Sequence, residues 1–169
     1  MKAKALVVAG IIDDIRRVFQ VLTEQSKKAE SATSLTSSQL WVIKILKETS
    51  PRKVSDLALR MYLHPATMVG LLDRLEAKGL VTRTRSEKDR RVVHIDLTDK
   101  GRELEIHSPE VVQTLLVHGL ESLTAQKLAL ISEGLEQVVR ILGVEGVPPH
   151  LILSLETNTP KRRKKDTAS

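Results

Sequence analysis

Basic side chains are concentrated in one short stretch near the middle of the chain. Five of them fall within residues 83–91, interrupted by only two acidic residues, Glu87 and Asp89. These cations can pair with phosphate, and a guanidinium can also donate two parallel hydrogen bonds to the edge of guanine. Such local clustering, rather than total charge, is the electrostatic feature of a nucleic-acid binder; the alternative is a solvated charged turn. The basic residues are Arg83, Arg85, Lys88, Arg90 and Arg91.

A second set of candidates lies on the helical pattern before this cluster. Four apolar residues between 68 and 75 have the i, i+3, i+4, i+7 spacing of one helix face. On the opposite side, Thr67 can reach a base edge or a phosphate, and Arg74 can pair with phosphate or guanine. The alternative for Arg74 is an ion pair with Asp56, Asp73 or Glu76. The candidates on this helix and at its N-terminal end are His64, Pro65, Ala66, Thr67, Gly70 and Arg74.

Two helices and a hairpin would position both sets. A short helical pattern covers residues 55–61, and after a turn Pro65 stands at the start of the second helix, where no N–H partner is needed. Gly79 suits the end of that helix, because a positive φ is readily adopted by glycine. Two runs typical of strands then flank a polar turn at residues 86–90. This order predicts a winged helix-turn-helix, whose second helix enters a DNA major groove.

Several short motifs in this segment match a known family. They are Leu57-Ala58, Asp73-Arg74-Leu75-Glu76, Gly79-Leu80-Val81, Asp89-Arg90-Arg91, and Leu97-Thr98 followed by Asp99-Lys100-Gly101-Arg102. With them the chain resembles the MarR family of bacterial transcription regulators. The resemblance implies that Arg90 or Arg91 enters the minor groove and that Asp89 buttresses it through an ion pair.

Two positions depart from the family pattern. Tyr62 stands at a turn position where glycine is common, and Gly70 stands where a larger polar residue is usual. Glycine inside a helix is about 1 kcal/mol less favourable than alanine. Either the backbone approaches DNA closely at Gly70, or one base contact is absent.

Long helical patterns flank the winged segment. The first covers residues 4–27, before a polar loop at 31–34, and others cover residues 99–143 with a break expected near His107. Their apolar stripes exceed what the small winged core can cover, which predicts a homodimer. The resemblance implies the same arrangement, and it also implies a small-molecule effector bound between the winged lobe and the dimer helices.

Helix ends carry clear local signals. Thr36 and Gln39 have the spacing of a capping box, Thr98 is expected to cap the helix after the hairpin, and Thr124 the last helix. The resulting fold class is mainly α with a small β-hairpin.

The expected domain organisation has two parts. Residues 1–147 form the winged helix-turn-helix domain, with its core at 36–98 and its dimerisation helices at 4–27 and 99–143. Residues 148–169 form an extension whose apolar run at 151–155 can pack back onto the domain. The basic end of the extension is expected to be disordered, and either grips DNA nonspecifically or is solvated.

Composition excludes several other classes of function. The 169 residues carry a formal charge of +6 and contain no cysteine, which rules out disulfides, thiolate zinc sites and cysteine-based oxidation sensing. No phosphate loop, nucleophile elbow or catalytic constellation is recognisable, and the five histidines lack the spacing of a metal site. We therefore expect no cofactor, no metal and no enzymatic activity. The apolar N-terminus is not typical of a signal peptide and no run is long enough to span a membrane, so a cytoplasmic location is expected.

These observations favour a sequence-specific, DNA-binding transcription regulator. The expected form is a dimeric repressor that binds double-stranded DNA at a pseudo-palindromic operator and responds to a small molecule. The alternative is a winged-helix module that binds protein and has lost specific DNA binding. The intact basic wing argues against that alternative, because a protein-binding module has no need of such a cluster.

Overall fold

The structure is a computed structural model that describes residues 2–151. Short connections join helices to a small antiparallel sheet in the described part of the chain. The elements are α1 (Lys2–Thr33), α2 (Ser37–Glu48), β1 (Arg52–Lys53), α3 (Val54–Arg60), α4 (Pro65–Ala77), β2 (Val81–Arg85), β3 (Val93–Leu97), α5 (Asp99–Ile106), α6 (Val112–Glu121) and α7 (Ala125–Leu142). This order confirms the predicted mainly helical fold with a winged helix-turn-helix.

The core lies between α2, α4 and the sheet. The predicted apolar face of α4 is fully buried there, and α2 contributes Leu40, Ile43 and Leu46. Ile95 and Leu97 of β3 close the core from the sheet side, as the alternating pattern of that run predicts. The opposite side of α4 is therefore left facing outwards. The buried residues of the α4 face are Met68, Leu71, Leu72 and Leu75.

The sheet has three strands rather than the two that were predicted. β3 is central and pairs antiparallel with β2 on one side and with β1 on the other. The two residues of β1 are too few to show an alternating pattern, so the sequence gives no sign of this strand. The Ser50 hydroxyl donates a 2.7 Å hydrogen bond to the Asp96 carboxylate, which fastens the approach to β1 onto β3.

The predicted helix caps are present. Thr36 and Gln39 form a complete capping box at α2, and the side chains of Thr98 and Thr124 accept hydrogen bonds from backbone N–H groups of α5 and α7. A break after Ile106 separates α5 from α6, as predicted near His107. Local sequence was enough to identify these ends because each cap is formed within one helical turn.

The first helix differs from its prediction. It extends from Lys2 to Thr33, so the loop predicted at residues 31–34 is wrong for most of its length. The small polar residues there bond back to the helix instead of breaking it, with the Thr33 hydroxyl donating to the Ala29 carbonyl at 2.6 Å. Ser34, with φ of 57°, ends the helix.

The terminal regions differ in how far they are covered by the core. In α7 no residue is buried, and large apolar side chains are exposed along both α1 and α7. Leu151, at the start of the apolar run that was expected to pack back, is buried. The rest of that run and the basic end lie outside the described residues. Within residues 2–151, no helix has the length and apolar character needed to cross a lipid bilayer.

Candidate nucleic-acid interface

The N-terminal end of α4 is formed by His64 and Pro65. His64 is the N-cap, and its Nδ1 accepts a hydrogen bond from the backbone N–H of Ala66 at 3.3 Å. Pro65 occupies the first helical position, as predicted, so its missing donor leaves no gap. Both side chains are exposed, and Ala66 is half-buried behind them. A capped helix N-terminus with free N–H groups is suited to phosphate.

The outward side of α4 contains some of the predicted residues and one that sequence reasoning missed. Arg74 is exposed and Gly70 is half-buried, with open space where a Cβ would stand. Thr67 was expected on this side, but it is only 8% exposed and is turned into the fold. Val69, which is 43% exposed, occupies the outward side instead. Its exposure could not be read from the sequence, because a valine next to a leucine stripe is ordinarily taken as core.

Arg83 ties the wing to the reading helix. Its guanidinium lies 2.7 Å from the Asp73 carboxylate and 3.3 Å from that of Glu76, and it also donates to the Val69 carbonyl at 3.4 Å. The two acids that were considered as partners for Arg74 are therefore partners of Arg83. All three acceptors belong to α4, so Arg83 of β2 fixes the angle between the wing and the helix.

The tip of the wing is organised around Asp89. Its Oδ1 accepts from the backbone N–H of Arg91 at 3.0 Å and from the Arg91 Nε at 3.3 Å. The Arg91 side chain is 93% exposed, so the carboxylate orients it without covering it. Arg85, Lys88 and Arg90 are also exposed on the hairpin. The result is a set of cations directed away from the protein, suited to binding phosphate or a narrow minor groove.

The base of the wing is joined to the end of α4 through backbone contacts. The Thr98 hydroxyl donates to the Gly79 carbonyl at 2.7 Å, and the Thr98 N–H donates to the Leu80 carbonyl at 3.1 Å. Gly79 has φ of 69°, which explains glycine at this stop. A Cβ on Gly101 would overlap the Leu80 carbonyl oxygen, so only glycine fits there. The motif that follows β3 thus locks the wing against the reading helix.

A contact between the helix-turn-helix and α6 has no counterpart in the sequence prediction. Tyr62, in the turn before α4, donates a hydrogen bond from its hydroxyl to the Glu121 carboxylate at 2.8 Å. Arg60 lies 3.7 Å from the same carboxylate and 3.0 Å from the His118 Nε2. The hydrogen bond to Glu121 raises the pKa of Tyr62 above its ordinary value. These residues are about 60 positions apart in sequence, with |i−j| of 59 for Tyr62 and Glu121, so no local pattern could reveal them.

Metal ligands are not gathered anywhere in the described part of the chain. Within residues 2–151, no three histidine, aspartate or glutamate side chains are placed to hold an ion together. His64 acts as a helix cap, and His94 lies on β3 opposite Thr84 and Lys53. The outward face of α4 and the basic wing are therefore the features of this site that call for a partner.

Comparison with known proteins agrees with this geometry. A model of the MarR family matches residues 35–93, which include the helix-turn-helix and most of the wing. The HTH-type transcriptional repressor MdtR of Bacillus subtilis is 32% identical over 133 residues, which are 79% of this chain and 81% of that protein.

Solved structures of similar fold extend the comparison. The structure of a MepR-like protein complexed with pseudoligands has a TM-score of 0.55 and 25% identity, and the alignment covers 80% of this chain and 95% of that one. The transcriptional regulator BldR from Sulfolobus solfataricus has a TM-score of 0.51 and 29% identity, with 83% of this chain and 95% of that one covered.

Proposed function

Because this chain belongs to the MarR family of transcription regulators, we propose that it is a sequence-specific repressor that binds its operator as a homodimer. The observation that carries the proposal is the attachment of a basic wing to an outward helix face through Arg83. Two surfaces suited to the two grooves of DNA are thereby held in one rigid unit. The MdtR relative is itself named as a transcriptional repressor.

The outward face of α4 reads the major groove. Arg74 pairs with guanine or phosphate, and Val69 contacts a thymine methyl group, which is the apolar feature of that groove. Gly70 lets the backbone come close to the bases. His64 and the exposed N-terminal end of α4 bind a phosphate and set the register. Thr67 acts from inside the fold by supporting the helix, because its side chain is buried.

The wing grips the flanking minor groove. Arg90 and Arg91 enter it, with Asp89 orienting Arg91 through the paired contacts described above. Arg85 and Lys88 neutralise phosphates on either side. Arg83 is a positioning residue for this grip, since its charge is already used by Asp73 and Glu76.

The second copy of the chain covers the terminal helices. Exposed side chains on α1 include Leu6, Ile11 and Phe19, and α7 leaves Leu135 and Leu142 open. Apolar faces of this extent are characteristic of an interface between chains. A two-fold dimer places two reading helices about one turn of DNA apart, on a pseudo-palindromic operator. The dimer helices therefore belong to the same functional domain as the winged core.

The oligomeric state can be tested with matched charge insertions. Phe19→Glu places a carboxylate in the proposed interface, whereas Leu59→Glu places one at an equally apolar exposed site on α3. Analytical ultracentrifugation should show monomers for the first variant and dimers for the second. A dimer that survives Phe19→Glu and equivalent changes on α7 would contradict the assignment.

DNA recognition is tested by selecting duplexes from a random pool with the purified full chain at two salt concentrations. Enrichment of a palindrome is expected, and the double variant Arg90→Ala, Arg91→Ala should lose it. The control is Lys27→Ala, Lys28→Ala, which removes the same charge from exposed positions at the far end of α1. Steeply salt-dependent binding without an enriched motif would mean counterion release alone. That result would overturn the proposal and favour the protein-binding module.

We further propose that the protein acts in the cytoplasm, without turnover of its own, and that a small molecule changes its half-site spacing. The pseudoligands bound by the MepR-like relative support the last point. The test is a gel-shift of the selected operator with and without candidate small molecules, using a hydrolase and transferase screen to exclude turnover.

A further inference from the structure

A cavity of about 190 Å³ lies between the helix-turn-helix and α6. Its walls come from α2, from the turn between α3 and α4, from α6, and from the segment that follows α7. Trp41, Leu63, Leu116 and Val117 make most of the lining apolar. An apolar cavity of about 150 Å³ is enough to hold benzene, so this volume fits a single ring with one small substituent.

One lining residue has hydrogen-bonding groups that the protein does not use. Gln113 is only 4% exposed, and neither its amide Nε2 nor its Oε1 has a partner among the described residues. Buried side-chain amides are nearly always hydrogen-bonded, because leaving them without partners is unfavourable by 1–3 kcal/mol or about that. The amide offers a donor and an acceptor side by side. Its natural complement is another group with one acceptor and one donor.

The charge of the lining limits the ligand further. No lysine, arginine, aspartate or glutamate lines the cavity, and its titratable groups are the Tyr62 phenol and the exposed His150 imidazole. An anion buried against Gln113 would have no permanent cation beside it, which disfavours a carboxylate. A neutral group such as a primary amide meets Gln113 without that penalty.

The remaining wall comes from this chain's own C-terminal extension. Pro149, His150 and Leu151 line the cavity, and Leu151 is buried although the segment before it is exposed. The extension therefore passes over the opening between α2 and α6. A ligand of the size of one ring would lie beneath it, in contact with the turn that carries Tyr62 and Leu63.

We propose that this cavity is a binding site for a small neutral amphiphile with one ring and an amide-like head group. Gln113 recognises the head group, the apolar walls hold the ring, and the segment at residues 149–151 closes over it. The site itself stands without the proposed function. The consequence that occupancy shifts α4 through the Tyr62–Leu63 turn rests on it.

The experiment uses benzamide as the probe and the full chain without DNA. Trp41 is the only tryptophan and lines the cavity, so its fluorescence reports occupancy, and calorimetry gives the affinity. Benzamide should bind, and benzoate should bind at least tenfold more weakly. No benzamide binding, or equal binding of benzoate, would overturn the proposal.

Variants then test the two parts of the site. Gln113→Leu should weaken benzamide about tenfold, as expected for the loss of two hydrogen bonds, yet keep toluene binding. Gln126→Leu, at an exposed position of α7, should change neither. Equal benzamide affinity in Gln113→Leu would contradict the role of the amide. Circular dichroism and thermal unfolding of each variant establish that it is folded.

The closing segment is tested by dissociation rates. Leu151→Ala should release benzamide about tenfold faster, whereas Val147→Ala, at an exposed position just before the segment, should not. Unchanged release in Leu151→Ala would show that the segment is not part of the site. Because these assays contain no DNA, a failure here is distinct from a failure of operator binding.

Discussion

The Tyr62 hydroxyl and the Glu121 carboxylate are joined by a hydrogen bond of 2.8 Å. This bond links the turn before α4 to the C-terminal end of α6. Tyr62 has φ of 52°, a conformation that side chains other than glycine rarely adopt. The strain at this residue is retained together with a bond that glycine could not make. The pair therefore fixes the reading helix relative to α6.

Removing the Tyr62 hydroxyl should loosen that connection. Tyr62→Phe keeps the ring and loses the bond to Glu121, so we expect a small fall in unfolding temperature at pH 7. The folded-state pKa of Tyr62 is raised, so the bond stabilises the fold below the ordinary phenol pKa, and this contribution is lost as pH rises through the folded value. The difference between wild type and Tyr62→Phe should accordingly vanish in alkaline urea titrations. Glu121→Gln, which retains an acceptor, is the control, and a constant difference across pH would refute the assignment.

Asp96 should make stability depend on pH at the acidic end. The Ser50 hydroxyl, followed by the Leu97 N–H and Arg102, lowers the pKa of this carboxyl. A lowered folded-state pKa contributes stability that is present above the unfolded pKa and lost as pH falls through the folded value. Ser50→Ala should therefore destabilise by about 1 kcal/mol at pH 7, allowing for solvent screening, and by progressively less in acid. Ser55→Ala removes a hydroxyl bonded to the exposed Asp56 and should have no such pH dependence.

Gly101→Ala should be among the more damaging small substitutions in the winged lobe. The new methyl group would overlap the Leu80 carbonyl oxygen, which is backbone and cannot simply rotate away. We expect a loss of about 1–3 kcal/mol in urea unfolding, as for overpacked sites. Gly119→Ala, in α6 with open space around it, should be neutral or stabilising. Equal behaviour of the two variants would mean that the wing base is not held as described.

Gly70→Ala separates stability from recognition. Open space surrounds the position, so alanine should stabilise α4 by up to about 1 kcal/mol through helix propensity. If the backbone approaches the bases here, operator affinity should fall in fluorescence anisotropy even as the protein becomes more stable. A variant that gains stability and binds DNA unchanged would instead indicate an absent base contact at Gly70.

Local features of the fold were predictable from sequence to a greater extent than long-range ones. The caps at Thr36, Thr98 and Thr124 and the stop at Gly79 follow from residues within a few positions of one another. The extent of α1 was wrong because serine and threonine bonding to the preceding turn can prolong a helix as well as end it.

The candidate site was predictable as a set of positions, but its internal partners were not. The helix face and the wing cluster follow from spacing and charge. The bond from Arg83 to Asp73, the burial of Thr67 and the unused amide of Gln113 depend on tertiary packing between separate elements. Val69 was overlooked because periodicity identifies the buried face of a helix but does not rank its margins.

The bracing of β2 by Arg83 also limits which DNA the proposed dimer could accept. With α4 and the wing joined at Asp73 and Glu76, the distance between major-groove and minor-groove contacts within one half-site is constant. Inserting one base pair between those contacts shifts them by about 3.4 Å along the duplex, which a braced lobe has no means to follow. An insertion at the centre of the operator instead moves whole lobes, whose separation is set by the helices that join the two chains. Half-sites should therefore tolerate no change in length, and any variation among operators should fall between them.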